Sequence, residues 1–257
     1  MSSHLHIEIY GQGKTVVLLH GWAMHTGVWR DFAIQLAQQA RVICIDLPGH
    51  GRSISQHPFE LQLIAAQLVE ALDEAPCYWL GWSLGALVAL EIVRQYPEKV
   101  RGLILLAGTP CFVKKINWAG MDRALLEKFA DNLLANPQAT VIHFLAIQIY
   151  GLEESKQFSR ALTTRVAECA APNPEVLQAG LMILKNQDLR PALVSIHCPV
   201  LTILGKRDAL VPVGVAVHLQ QLLESLQVVT LDKAGHVPFL SHADETTWIV
   251  IDFLNAT

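Results

Sequence analysis

Two stretches of this chain, Val16-Val17-Leu18-Leu19 and Leu103-Ile104-Leu105-Leu106, carry no polar side chain at any position. A strand with one wet face alternates apolar and polar residues, so short unbroken apolar runs imply strands covered on both faces, as in a parallel sheet. Seven β-rich segments of this general kind recur, at Leu5 to Tyr10, Thr15 to Leu19, Arg41 to Ile45, Cys77 to Leu80, Gly102 to Leu106, Val200 to Leu204 and Leu226 to Leu231. Between them Phe59 to Leu72 and Leu84 to Tyr96 space their apolar residues as helices do, and Pro97 ends the second. The alternation implies an α/β architecture, a mostly parallel central sheet flanked by helices. At 257 residues, one domain with an insertion fits better than two domains.

The insertion is visible as a loss of regularity after Ala107-Gly108-Thr109-Pro110, with no comparable strand until Cys198-Pro199-Val200. Residues 111–185 read as a helical cap, broken into short helices at Asn136-Pro137 and Ala171-Pro172-Asn173-Pro174. Residues 1–110 and 186–257 then form the core. Eight basic and seven acidic side chains give the cap a net +1, leaving −5 elsewhere in a chain of net −4. The cap is therefore the better landing surface for an acidic partner. Neither a basic run nor a repeat suggests nucleic-acid binding, and no apolar run nears the roughly 18 residues of a membrane span. The residues Met1 to Glu8 show no basic-then-apolar signal pattern, so the cytoplasm is the expected compartment. Five scattered cysteines without a CxxC argue against disulfides and zinc, and they read as buried or idle thiols.

The chemistry is concentrated in four segments. Leu80-Gly81-Trp82-Ser83-Leu84-Gly85-Ala86 follows a strand and opens a helix, the context a Gly-x-Ser-x-Gly nucleophile elbow requires. The turn would lift the Ser83 hydroxyl clear of the sheet and aim the Leu84 NH at a developing oxyanion; a serine that merely caps the helix is the plainer alternative. Leu204-Gly205-Lys206-Arg207-Asp208 puts a carboxylate just past a strand, where Asp208 can orient a histidine or can simply serve a turn. Asp232-Lys233-Ala234-Gly235-His236 puts an imidazole on the loop after the last strand, with His236 as general base; Asp232 lies too near it in sequence to be its partner. His57, His218 and His242 have no comparable context. Leu19-His20-Gly21-Trp22 supplies the second oxyanion donor through the Trp22 NH, with His20 bracing the loop. The order serine, acid, histidine is that of acyl transfer through Ser83, a chemistry that needs neither metal nor organic cofactor. Asp46-Leu47-Pro48-Gly49-His50-Gly51-Arg52-Ser53 lacks the spacing of a phosphate loop and reads as structural.

The chain as a whole resembles the pimeloyl-[acyl-carrier protein] methyl ester esterases of biotin synthesis, a carboxylesterase family within the α/β-hydrolases. Leu18-Leu19-His20-Gly21-Trp22, Trp79-Leu80-Gly81-Trp82-Ser83-Leu84-Gly85, Thr109-Pro110-Cys111-Phe112, His143-Phe144-Leu145-Ala146 and Gly180-Leu181-Met182-Ile183-Leu184-Lys185 carry the likeness. The resemblance implies hydrolysis of a methyl ester at the far end of a pimeloyl chain held on acyl carrier protein. It implies an apolar channel, with Trp22, Trp82 and Phe144 as candidate walls or, equally, as packing. It also implies carrier contacts at Lys156 and Arg160, which could instead belong to a solvated helix face; two further arginine positions of the family are Ala139 and His143 here. A monomer is expected. Broader short-chain ester hydrolysis, carbon–carbon bond hydrolysis, or a low-turnover ligand receptor on the same scaffold are the competing readings.

Overall fold

The computed structural model describes residues 5–55, 58–72 and 74–257. Seven strands form one sheet in the order β1-β3-β2-β4-β5-β6-β7, comprising β1 (Ile7–Tyr10), β2 (Thr15–Leu19), β3 (Arg41–Ile45), β4 (Cys77–Trp82), β5 (Val100–Leu106), β6 (Val200–Gly205) and β7 (Gln227–Leu231). All neighbours pair in parallel except β1, which runs antiparallel to β3 at one edge. The apolar runs lie where they belong: β2, β4, β5 and β6 are buried along nearly their whole length, whereas the edge strand β7 is buried only at Leu231.

Helices α1 (Arg30–Leu36), α2 (Leu61–Ala71) and α3 (Leu84–Gln95) cover the first half of the sheet. Between β5 and β6 come α4 (Arg123–Ala135), α5 (Pro137–Gln148), α6 (Ser155–Val166), α7 (Pro174–Asn186) and the short α8 (Arg190–Val194); α9 (Val215–Leu222), α10 (Pro238–Ser241) and α11 (Ala243–Ala256) complete the chain. The two breaker segments act as N-caps, with Asn136 Oδ1 accepting from the Ala139 NH at 3.0 Å and Asn173 Oδ1 from the Glu175 NH at 2.9 Å. Helix α4 packs on α5 and α7, α5 on α6, and α7 reaches down to α3. Helix α1 was not legible beforehand; its seven residues bury Phe32, Ala33 and Leu36 on a stripe too short to register as periodic. No helix among the described residues is long and apolar enough to cross a membrane.

The strand order reverses at β2, which lies between β3 and β4. In open α/β sheets such a switch point opens a crevice at the carboxyl ends of the strands. Leu19 at the end of β2 pairs with Gly81 near the end of β4, so His20-Gly21-Trp22 and Ser83 emerge side by side.

Candidate active site

Ser83 sits between β4 and α3 with φ +55° and ψ −115°, a left-handed backbone that a non-glycine residue adopts only under constraint. The glycines on either side make the turn possible. A Cβ on Gly81 would strike the Gly85 carbonyl, and one on Gly85 would strike the Leu19 carbonyl. The Ser83 side chain makes no capping hydrogen bond to α3, so it is not held there as a helix cap.

Two further loops are stitched together at the far strand ends. Lys206 NH donates to Leu231 O at 3.0 Å and Arg207 NH to Ala234 O at 2.9 Å, while Gly205 leaves room for the Ala234 and Gly235 carbonyls. This brings Asp208 to His236: Nδ1 donates to Asp208 Oδ2 at 2.8 Å, with both side chains inaccessible to solvent. The other carboxylate oxygen accepts from the NH groups of Leu210 at 2.8 Å and Val211 at 2.9 Å. Asp208 is thus a turn aspartate through Oδ1 and a histidine acceptor through Oδ2, and the two readings of it coincide. Asp232 instead pairs with Lys206 at the exposed surface.

His236 is clamped on three sides. Besides Asp208, its NH donates to Gln148 O at 3.2 Å and its carbonyl accepts from the Trp82 indole at 2.7 Å. With Nδ1 donating to the carboxylate, Nε2 carries the free lone pair, and that buried atom has no hydrogen-bond partner among the described residues. An imidazole held at Nδ1 with Nε2 open, its backbone bonded to the indole of the elbow residue Trp82, is equipped to take a proton from a hydroxyl.

The loop after β2 passes close over the serine: a Cβ on Gly21 would lie 3.3 Å from Ser83 Cβ. His20 holds that loop. Its Nε2 accepts from the Leu47 NH at 2.9 Å, which leaves Nδ1 to donate to Gly21 O at 2.8 Å, and burial pushes its pKa down to about 3. The segment from Asp46 to Ser53 is a brace as well, since Asp46 accepts from the NH groups of Thr26 and Arg52 and Ser53 Oγ donates to Asp46 O. Neither the Trp22 NH nor the Leu84 NH has a protein acceptor among the described residues.

The α/β-hydrolase fold family matches residues 14–243. A pimeloyl-[acyl-carrier protein] methyl ester esterase of Methylococcus capsulatus is 40% identical over 250 residues, covering 97% of this chain and 98% of that one. The enzyme of the same name from Vibrio parahaemolyticus is 38% identical over 253 residues, covering 98% and 99%. Among solved structures, an esterase from Exiguobacterium antarcticum superposes with a TM-score of 0.88 at 20% identity over 98% of this chain and 95% of that one, a likeness of fold. The chain belongs to the pimeloyl-[acyl-carrier protein] methyl ester esterase family of α/β-hydrolases.

For a member of that esterase family, the aromatics named from the sequence divide into two groups. Trp22 and Phe144 come together, ring centroids 4.8 Å apart and edge to face, with the Trp22 indole NH donating to Leu177 O of α7 at 2.8 Å. Trp82 lies apart, fully buried against Trp29 and Phe239 and bonded to the His236 carbonyl. Lys156 and Arg160 are exposed on α6, without an ion pair among the described residues, and both line a groove of about 850 Å³ between α5 and α6. Ala139 and His143 are exposed on α5. His57 lies outside the described residues, and His218 packs on Trp118. His242 hydrogen-bonds Ser241. All five cysteines are free, and burial pushes the thiols of Cys77 and Cys198 up to about 12 and about 11. Sequence reasoning missed Gln148, the one amide on the apolar stripe Val141, Phe144, Leu145 of α5; its spacing of four from Phe144 was the available signal.

Proposed function

We propose that this chain is a serine carboxylesterase that hydrolyses the methyl ester of pimeloyl-[acyl-carrier protein], releasing methanol and the free carboxylate. The observation that carries it is the His236 imidazole, fixed by Asp208 at one nitrogen and open at the other, with its carbonyl held by the indole of Trp82, the residue before Ser83. His236 Nε2 takes the Ser83 proton as Oγ attacks the ester carbonyl carbon, and the NH groups of Trp22 and Leu84 bind the resulting oxyanion. Two such donors are worth several kcal/mol, since loss of one typically costs about 2.7–4 kcal/mol. His236 then protonates the departing methanol, and water releases the acyl group. Neither step asks for a metal or organic cofactor.

Trp22 and Phe144 form the apolar wall along which the pimeloyl methylenes lie, and Lys156 and Arg160 meet the acidic carrier at the cap rim. The names and near full-length identity of the relatives favour this substrate over generic esters, diketones or a receptor role. The test compares hydrolysis of methyl pimeloyl carrier protein with that of p-nitrophenyl esters of graded length, using wild type and Ser83→Ala. Preference for the carrier substrate, with loss of both activities in the variant by about 10⁴-fold or more, is expected. Hydrolysis surviving in Ser83→Ala removes the nucleophile; preference for aromatic diketones removes the substrate.

A further inference from the structure

Gln148 is 1% exposed, yet neither Nε2 nor Oε1 of its carboxamide has a hydrogen-bond partner among the described residues. A buried amide in that condition is destabilising, and native proteins retain such groups where a ligand or a bound water completes them. Its position indicates which. Gln148 is the last residue of α5, one turn beyond Phe144 on the same face, and Phe144 is the residue that meets Trp22. At the other end, the Gln148 carbonyl accepts from the His236 NH at 3.2 Å and packs against Gly235. The amide therefore lies on the stretch of α5 between the proposed oxyanion loop and the catalytic histidine. His236, whose backbone is bonded to that of Gln148, also has a buried polar atom without a partner among the described residues, its Nε2. A water needs two or more polar partners to be held in a buried site, and these two groups together provide them.

We propose that the Gln148 carboxamide positions the water that hydrolyses the acyl enzyme. This rests on the reading of Ser83 as nucleophile. In the acyl enzyme Ser83 Oγ is bonded to the acyl carbon, and the water directs one hydrogen to His236 Nε2 and the other to Gln148 Oε1. The water oxygen forms a bond to the acyl carbon, its first proton passes to Nε2, and the carbonyl electron pair moves onto the oxyanion. As the pair returns, the bond from carbon to Oγ breaks and Oγ takes the proton from Nε2, leaving the carboxylic acid and free Ser83. Gln148 neither gains nor loses a proton; as a neutral amide it cannot compete with His236 as base. During acylation the same place is taken by the ester alkoxy oxygen, which has no hydrogen to offer Oε1. Loss of the amide therefore falls on deacylation.

The test is Gln148→Met, which keeps the volume and removes the amide, studied by stopped flow with p-nitrophenyl butyrate and by intact-protein mass. Acylation within about twofold of wild type, a steady-state rate lower by about tenfold or more, and a p-nitrophenolate burst nearing one per protein are expected. The butyryl adduct accumulates, and the melting temperature stays level or rises because an unpartnered polar group has gone. Acylation and deacylation falling together, or neither changing, overturns the proposal; a residue needed only for packing would give the former with a lowered melting temperature. Should Gln148→Met not fold, Gln148→Asn, which withdraws the amide by one methylene, is read by the same criteria. Ser83→Ala separates the two ideas: an adduct that persists there overturns Ser83 itself, whereas a Ser83-dependent adduct that fails to accumulate in the Gln148 variants overturns only the water.

Discussion

Asp208 shows how one side chain serves two loops. Its Oδ1 closes the turn at Leu210 and Val211, while its Oδ2 fixes the tautomer of His236. In Asp208→Asn the backbone NH groups keep the amide oxygen, so the NH2 group faces Nδ1 and forces the proton onto Nε2, the nitrogen that must be free. We expect kcat on p-nitrophenyl acetate to drop by about 10⁴-fold with the melting temperature little changed. A variant within tenfold of wild type would mean that Asp208 does not orient the base. Ser83, by contrast, is defined by its backbone. Its φ of +55° stores strain of order 1–3 kcal/mol, tolerated because Gly81 and Gly85 let β2, β4 and α3 close around it.

Among the elements, α5 and α6 connect the site to the surface. Helix α5 carries Phe144 and Gln148 on its buried side, while α6 holds Lys156 and Arg160 outward with no acidic neighbour paired to them among the described residues. Exposed charges of this kind govern encounter with a charged partner more than they govern stability. Reversing both, Lys156→Glu with Arg160→Glu, is expected to lower kcat/KM for the carrier-borne ester by about tenfold, through slower association, and to weaken its salt dependence. Hydrolysis of p-nitrophenyl butyrate should not change. Equal loss on both substrates would place these residues in the fold of the cap rather than on its docking face. The C-terminal end of α6 is different, since Arg165 pairs with Asp31 at 2.8 Å and Arg30 with Glu168, tying that end to α1 and its approach.

At the scale of the whole molecule, two buried histidines link the core to pH. His20 and His50 lie with ring centroids 5.2 Å apart, and burial pushes both pKa values from 6.5 down to about 3. Both are neutral in the folded state and are protonated in the unfolded chain below about pH 6.5. The stability that depends on their neutrality is complete above that pH and is lost as the pH falls from about 6.5 toward 3, by up to roughly 1.4 kcal/mol per pH unit for each. Urea unfolding at pH 7.5 and 5.0 should show this loss, and His50→Phe, which suits the contact with Phe59, should reduce the difference. An undiminished pH dependence in that variant would exclude His50 as a source.

What could be read without coordinates was whatever depends on local periodicity and short motifs. Unbroken apolar runs can be buried only in a covered parallel sheet, and Gly81-Trp82-Ser83-Leu84-Gly85 permits the one turn that projects a serine from such a sheet. The segment from 111 to 185 reads as helical by the same periodicity; helices run between Arg123 and Asn186, with Asn136 and Asn173 capping where the breakers stand, whereas residues 111–122 hold only turns and two isolated bridges. What needed the fold were relations between segments distant in sequence. The Trp82 indole reaches a carbonyl 154 residues away, Trp22 binds α7 across 155, and the Gln148 carbonyl meets the His236 NH while its side-chain amide has no partner among the described residues. Such placements follow from the packing of sheet, loops and inserted helices together, and no window of neighbouring residues contains them.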